Sequence, residues 1–168
     1  TVFAAFDHFD EDVRRAMAPW MIEMARGMAQ TISRSDTTFS TVEELDQYCY
    51  YVAGTVGKLL TNLFLLDRFE NDAGLRKELE KTSVSFGLGL QLINIMKDVT
   101  DDFSRGVVYV PKKLFKVVGK DLQELLESGD KNAARAVVGL LVRHALSHLE
   151  AAVEYTLALP AREPDLRM

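Results

Sequence analysis

The 168-residue chain has one cysteine, Cys49, one tryptophan and four prolines. A lone cysteine excludes an internal disulfide and suits a reducing compartment, so a cytoplasmic location is expected. No run of 18 apolar residues occurs, so no membrane span is expected. A surplus of positive charge is missing too. Twenty Lys and Arg stand against 25 Asp and Glu, a net charge of −5, which argues against general nucleic-acid binding. The opening residues TVFAAFDHFDEDV are acidic and unlike a signal peptide. There is no initiator methionine, so the chain is expected to begin inside a longer protein. No strand-like alternation of useful length and no internal repeat is found.

What is present is helical periodicity. Hydrophobic residues make up 48% and charged ones 27%, enough for one domain with a real core, expected to span residues 1–168 as an all-α unit. A first long helix is expected over Glu11 to Arg34, with Pro19 kinking or breaking it near Ala18. A polar loop follows from Ser35 to Thr41. Ser40 and Thr41 fit a capping box, opening a helix to about Leu66. Its packing seam reads Val42, Leu45, Cys49, Val52, Val56, Leu59 and Leu63, with Tyr48, Thr55 and Asn62 along one edge. After a connector at Asn71 to Gly74, a long helix is expected from Leu75 to Asp102. Arg105-Gly106 should end it, before an extended Val107 to Val110. Pro111 should start a short helix through Val117, and Leu122 to Leu126 forms another. A last helix runs from the Asp130 cap to about Leu159, with Ala134, Val138, Leu141, Ala145, Leu149 and Val153 as its core face.

The stretch from Ser83 to Pro111 organises the rest. Its helix is apolar nearly all round, which normally means burial. Yet Gln91, Asn94, Asp98 and Asp102 recur at steps of 3, 4 and 4 and share one side. Buried carboxylates without partners are very unfavourable. Two Asp one turn apart can hold Mg²⁺, which takes oxygen ligands and is often shared with substrate phosphates. Asn94 and Gln91 could contact the same group. The alternative is a solvated helix end with ordinary surface acids.

Other features read more plainly. Met17, Met21, Met24 and Met28 form a stripe that suits core packing better than a hydrocarbon pocket. Gly54 and Gly57 in mid-helix imply a close approach, by a neighbouring helix or by a ligand. His144 and His148 have the i, i+4 spacing of a zinc-binding pair, but no third ligand lies nearby in the sequence. Cys49 reads as a small core residue, and Lys112-Lys113 as solvated charge.

Two stretches, DQYCYYVAGTVGKLLTNLF (Asp46 to Phe64) and FGLGLQLINIMKDVTDDFSRGVVYVP (Phe86 to Pro111), resemble the squalene and phytoene synthase family of head-to-head prenyl transferases. The first is similar to that family's Tyr-Cys-x-x-Val-Ala-Gly-x-Val-Gly element. The second keeps the Gln-x-x-Asn-x-x-x-Asp-x-x-x-Asp frame of its downstream acidic motif. MARGMAQ (Met24 to Gln30) and the final helix carry a weaker likeness.

The resemblance implies an isoprenoid-synthase helical fold around a central cavity, here only its middle and later helices. It implies Mg²⁺ as cofactor, held by Asp98 and Asp102 with Asn94. It implies Tyr48, Asp98 and Asp102 as catalytic residues. Substrate contacts would come from Tyr51, Val52, Ala53, Gly54, Thr55, Gly57, Gln91, Asn94, Lys97, Arg105 and Tyr109. The implied reaction joins two prenyl diphosphates with Mg-assisted diphosphate release, farnesyl diphosphate giving presqualene diphosphate and squalene. NADPH would be needed for squalene. Geranylgeranyl diphosphate and phytoene, or dehydrosqualene, are the alternative, and a non-catalytic binding or assembly module is another. Peripheral membrane contact would suit a lipid-like product; the oligomeric state stays open.

Departures are present. The family's first acidic motif has no equivalent, since Asp7, Asp10 and Asp12 sit beside the wrong helix, and the family's C-terminal apolar helices are missing. The 168 residues alone are therefore expected to be inactive. Lys97 and Val107 stand where the family often has Arg.

Overall fold

The computed structural model describes residues 2–33 and 38–166, leaving aside the side chains at 2–4, 100 and 103. Among the described residues eight α-helices follow in order: α1 (Val2–Asp7), α2 (Glu11–Ile32), α3 (Val42–Cys49), α4 (Thr55–Arg68), α5 (Ala73–Ser104), α6 (Lys112–Val117), α7 (Leu122–Ser128) and α8 (Lys131–Ala158). A π-helical turn, Tyr50–Gly54, joins α3 to α4, and a 3-10 turn, Pro164–Leu166, follows α8. No strand occurs among the described residues. The expected polar loop from Ser35 lies partly outside them.

Local chemistry sets most boundaries. Thr41 accepts the backbone N–H of Glu44 at 3.3 Å, and the Glu44 carboxylate accepts the N–H of Ser40 at 2.9 Å, so the capping signal splits between neighbouring residues. Asp72 accepts from Leu75 N–H at 2.9 Å and opens α5. Asp130 accepts from Asn132 and Ala133 and opens α8. Pro19 does not interrupt α2, which is helical on both sides of it.

The π turn corrects the expected seam. Leu45 and Cys49 are fully buried as the 3-4 pattern predicts, but Val56 is exposed. From the last residue of the turn onward the buried positions are Gly54, Thr55, Gly57, Thr61 and Leu65. An i→i+5 turn admits one extra residue, which rotates all that follows by about 100°. The series through Gly54, Gly57, Thr61 and Leu65 thus steps by five from Cys49 and then returns to 3 and 4, with Thr55 buried beside it.

α5 is the hub. α8 packs along it more extensively than any other described pair, with α4 and the π turn on another side. At the α4–α5 crossing the backbones touch. A Cβ on Gly57 would lie 2.0 Å from the Ser83 carbonyl oxygen, and one on Gly87 2.1 Å from that of Ala53. The close approach implied by the mid-helix glycines is therefore made by a helix. Leu88, Leu92 and Ile95 of α5 join Leu45, Cys49, Leu141 and Ala145 in the main core. Each such aliphatic side chain contributes about 1.5–3 kcal/mol when fully buried. A smaller cluster, Leu65, Phe69, Leu79, Tyr155 and Leu159, closes the other end.

The core face of α8 also differs from expectation. Val137, Leu141, Ala145, Ala152 and Tyr155 are buried, whereas Val138 and Val153 are exposed. A helix apolar on several sides fits more than one phase, and packing on α5 selects this one. By length and composition, Val42–Arg68 and Lys131–Ala158 could each cross a bilayer, a property the count of apolar runs did not reveal; both pack on α5.

Candidate active site

α5 ends in a turn that brings distant residues together. Gly106 adopts a left-handed conformation, φ +77°, and the N–H of Val107 bonds the Asp102 carbonyl at 2.9 Å. This Schellman closure reverses the chain. The extended residues that follow meet Phe39, whose carbonyl accepts the N–H of Lys112 at 2.8 Å.

The reversal seats Tyr109 against Tyr48. Their rings stack with centroids 5.1 Å apart, and the Tyr48 hydroxyl donates to that of Tyr109 at 3.2 Å. Phe39 completes an aromatic trio, 5.5 Å from Tyr48 and 6.1 Å from Tyr109. Burial pushes the Tyr48 phenol well above the usual range. The Tyr109 hydrogen bond adds to this, as do the charges of Tyr109, Cys49 and Asp102. Tyr48 is thus a protonated donor at neutral pH.

Asp102 is largely covered, its side chain 15% exposed, and its Oδ1 accepts from Arg105 at 2.6 Å. Asp98, one turn earlier, and Gln91 are half-buried; Asn94 and Lys97 are exposed. The stripe therefore lies along a partly open side of α5, exposed at Asn94 and largely covered at Asp102. Its donors, two carboxylates and an amide oxygen, are all hard oxygens, and the two acids are one helical turn apart. This set fits Mg²⁺, with positions left for water or phosphate.

An apolar hollow of about 320 Å³ abuts the same end, lined among others by Ile95, Val99, Tyr109, Phe115, Leu125 and Val137. Tyr109 belongs both to this hollow and to the Tyr48 pair.

The remaining expected contacts sit elsewhere. The Tyr51 ring packs over Gly27 of α2, where a Cβ would come within 2.0 Å of it. Tyr50 donates to Glu23 at 2.5 Å, and its phenol is pushed up to about 12 by burial and by that carboxylate. Val52 and Ala53 are half-buried in the π turn. Thr55 is fully buried and donates to the Tyr51 carbonyl at 2.9 Å. Gly54 and Gly57 lie in the packing with α5. Tyr51 thus packs against α2, and Gly54 and Gly57 against residues 83–88 of α5.

One cluster escaped the sequence. Asp46 on α3 meets both histidines of α8. Its Oδ1 lies 2.7 Å from Nε2 of His144, and one ligand atom from each of Asp46, His144 and His148 falls within 4.8 Å of the others. Burial holds the His148 pKa below the ordinary imidazole value, and His144 lowers it further, against the pull of Asp46. The i, i+4 spacing was legible, but its partner is 98 residues away.

Residues 1–166 match the family model described as squalene/phytoene synthase. The chain belongs to the squalene/phytoene synthase family. It is 30% identical over 162 residues to a squalene synthase of Eremothecium gossypii, covering 95% of this chain and 36% of that protein. It is 30% identical over 168 residues to squalene synthase 1 of Arabidopsis thaliana, covering 98% and 39%. The structure of TcSQS in complex with the ligand BPH1237 superposes with a TM-score of 0.82 at 26% identity, covering 98% of this chain and 47% of that one. The squalene synthase HpnC from Alicyclobacillus acidocaldarius shares the fold, TM-score 0.72 at 22% identity, over 98% of this chain and 67% of its own. The chain thus spans well under half the length of these two curated family relatives, and the all-helical isoprenoid-synthase fold expected from the sequence is the fold found.

Proposed function

We propose that these residues form the tyrosine and second acidic-motif half of an enzyme that condenses two prenyl diphosphates head to head, with farnesyl diphosphate as the substrate. What supports this reading is the Tyr48–Tyr109 pair, formed by the chain reversal that follows Asp102, with Tyr109 also lining an apolar hollow. Asp98 and Asp102, with Asn94, would hold Mg²⁺. When bound, that ion would neutralise charge on the departing diphosphate.

The chain's own groups supply the rest. Arg105, already on Asp102, offers further donors to a phosphate. The stacked faces of Tyr48 and Tyr109 attract positive charge, as an allylic cation would require. The raised Tyr48 pKa keeps its proton in place, so the residue acts as a neutral hydrogen-bond donor. The hollow would shelter the prenyl chain from water. The outward apolar residues of α8, such as Leu146 and Leu157, support peripheral contact with a bilayer.

Calorimetry with farnesyl diphosphate tests the reading. We expect binding that requires Mg²⁺ and weakens at least roughly tenfold in Asp98→Asn and in Asp102→Asn, the loss found even when supporting groups around a metal are changed. Binding indifferent to both substitutions would reject it. Mass analysis of products, with and without NADPH and with geranylgeranyl diphosphate in parallel, decides between squalene and phytoene-type outcomes. The 168 residues alone, with one acidic motif, are expected to bind without turnover.

A further inference from the structure

We infer that Asp46, His144 and His148 form a second, separate metal site that takes a borderline divalent ion of the zinc type. α8 presents the two imidazoles one helical turn apart, with ring centroids 5.1 Å apart and planes at 81°. α3 brings the carboxylate from across the bundle, its Oδ1 2.7 Å from His144 Nε2. One ligand atom of each residue lies within 4.8 Å of the others. All three are half-buried, the side chains of His144 and Asp46 26% and 28% exposed, so an ion can enter from one side.

The surroundings hold this geometry. The Ser85 hydroxyl of α5 lies 3.3 Å from Nδ1 of His148, the kind of outer contact that fixes the tautomer and rotation of a ligating imidazole. Gly89 lets α5 and α8 approach at this level, where a Cβ would stand 3.2 Å from the His148 carbonyl carbon. For bonds of 2.0–2.1 Å in a tetrahedron, ligand atoms stand about 3.3 Å apart. The His144–Asp46 edge, at 2.7 Å, must therefore open slightly, within reach of small side-chain rotations.

Two imidazoles and one carboxylate select zinc-like ions over Mg²⁺, which prefers oxygen alone. Three protein ligands leave the fourth position to water. Asp46 is two residues before Tyr48, so an ion here would tie the helix that carries Tyr48 to α8.

The test uses the metal-free 168-residue chain titrated with Co²⁺ as a spectroscopic probe and Zn²⁺ as competitor. We expect one Co²⁺ per chain with visible d–d bands, displaced by Zn²⁺ and untouched by excess Mg²⁺. The melting temperature should rise by roughly 5–10 °C at a free Zn²⁺ concentration about 100 times Kd. Asp46→Asn and His148→Gln should each lower affinity at least about tenfold and abolish the melting shift. Circular dichroism of the metal-free variants reports folding, and either variant that folds suffices. No saturable 1:1 binding, or binding unchanged in a folded variant, would overturn the site and leave an ordinary His–Asp hydrogen bond.

Discussion

The hydroxyls of Tyr48 and Tyr109 meet at 3.2 Å although 61 residues separate them, and Tyr48 is the donor. Tyr109→Phe removes the acceptor and keeps the stacked ring. It should lower stability by about 0.5–1.5 kcal/mol in denaturant unfolding. It should also move the Tyr48 phenol back towards its ordinary value of 10.0, since that hydrogen bond is the largest cause of the shift after burial. Tyrosinate absorbance against pH measures this.

Alkaline stability follows from the same residue. The folded chain holds the Tyr48 proton, and that of Cys49, more tightly than the unfolded chain does. Above the ordinary thiol value of 9.0 the unfolded state therefore binds fewer protons, and stability falls as pH rises. Tyr48→Phe should flatten the part of that fall above pH 10.0, seen as Tm against pH.

Cys49 is fully buried, and burial pushes its thiol up to about 12, with Asp46 adding to the shift. A disulfide reagent at neutral pH should leave the native chain unmodified and react at once with unfolded chain. Fast labelling of native protein would contradict this burial.

Two glycines should respond oppositely to alanine. At Gly57 the new methyl would meet the Ser83 backbone oxygen at 2.0 Å, and backbone cannot step aside cheaply. Gly57→Ala should cost about 1–3 kcal/mol or more. At Gly139, within α8, nothing lies within 4 Å, and Gly139→Ala should stabilise by about 0.4–1 kcal/mol. Urea melts of both variants check the pair.

Much of this architecture was legible because it is written locally. Thr41, Asp130 and Gly106 mark helix ends through bonds to backbone groups a few residues away, and Leu45 and Cys49 follow the helical period. The π turn was not legible. Nothing in Tyr-Tyr-Val-Ala-Gly announces an extra residue per turn, and the seam beyond it slipped accordingly. α8 misled through excess, since Val137 and Val138 are equally apolar and only contact with α5 chooses between them. At the site, the frame of Asp98 and Asp102 was readable from spacing. The meeting of Tyr48 with Tyr109, and of Asp46 with His144 and His148, depends on chain reversals and crossings that no local pattern encodes.

The central claim is that the acidic end of α5 and Tyr48 serve one site. NMR of chain carrying ring-labelled tyrosine, titrated with farnesyl diphosphate and Mg²⁺ together, tests it most directly. The account predicts a saturable shift of the Tyr48 signal, assigned by its loss in Tyr48→Phe, that Asp102→Asn abolishes. Ligand binding with Mg²⁺ that leaves the Tyr48 signal where it was would contradict it.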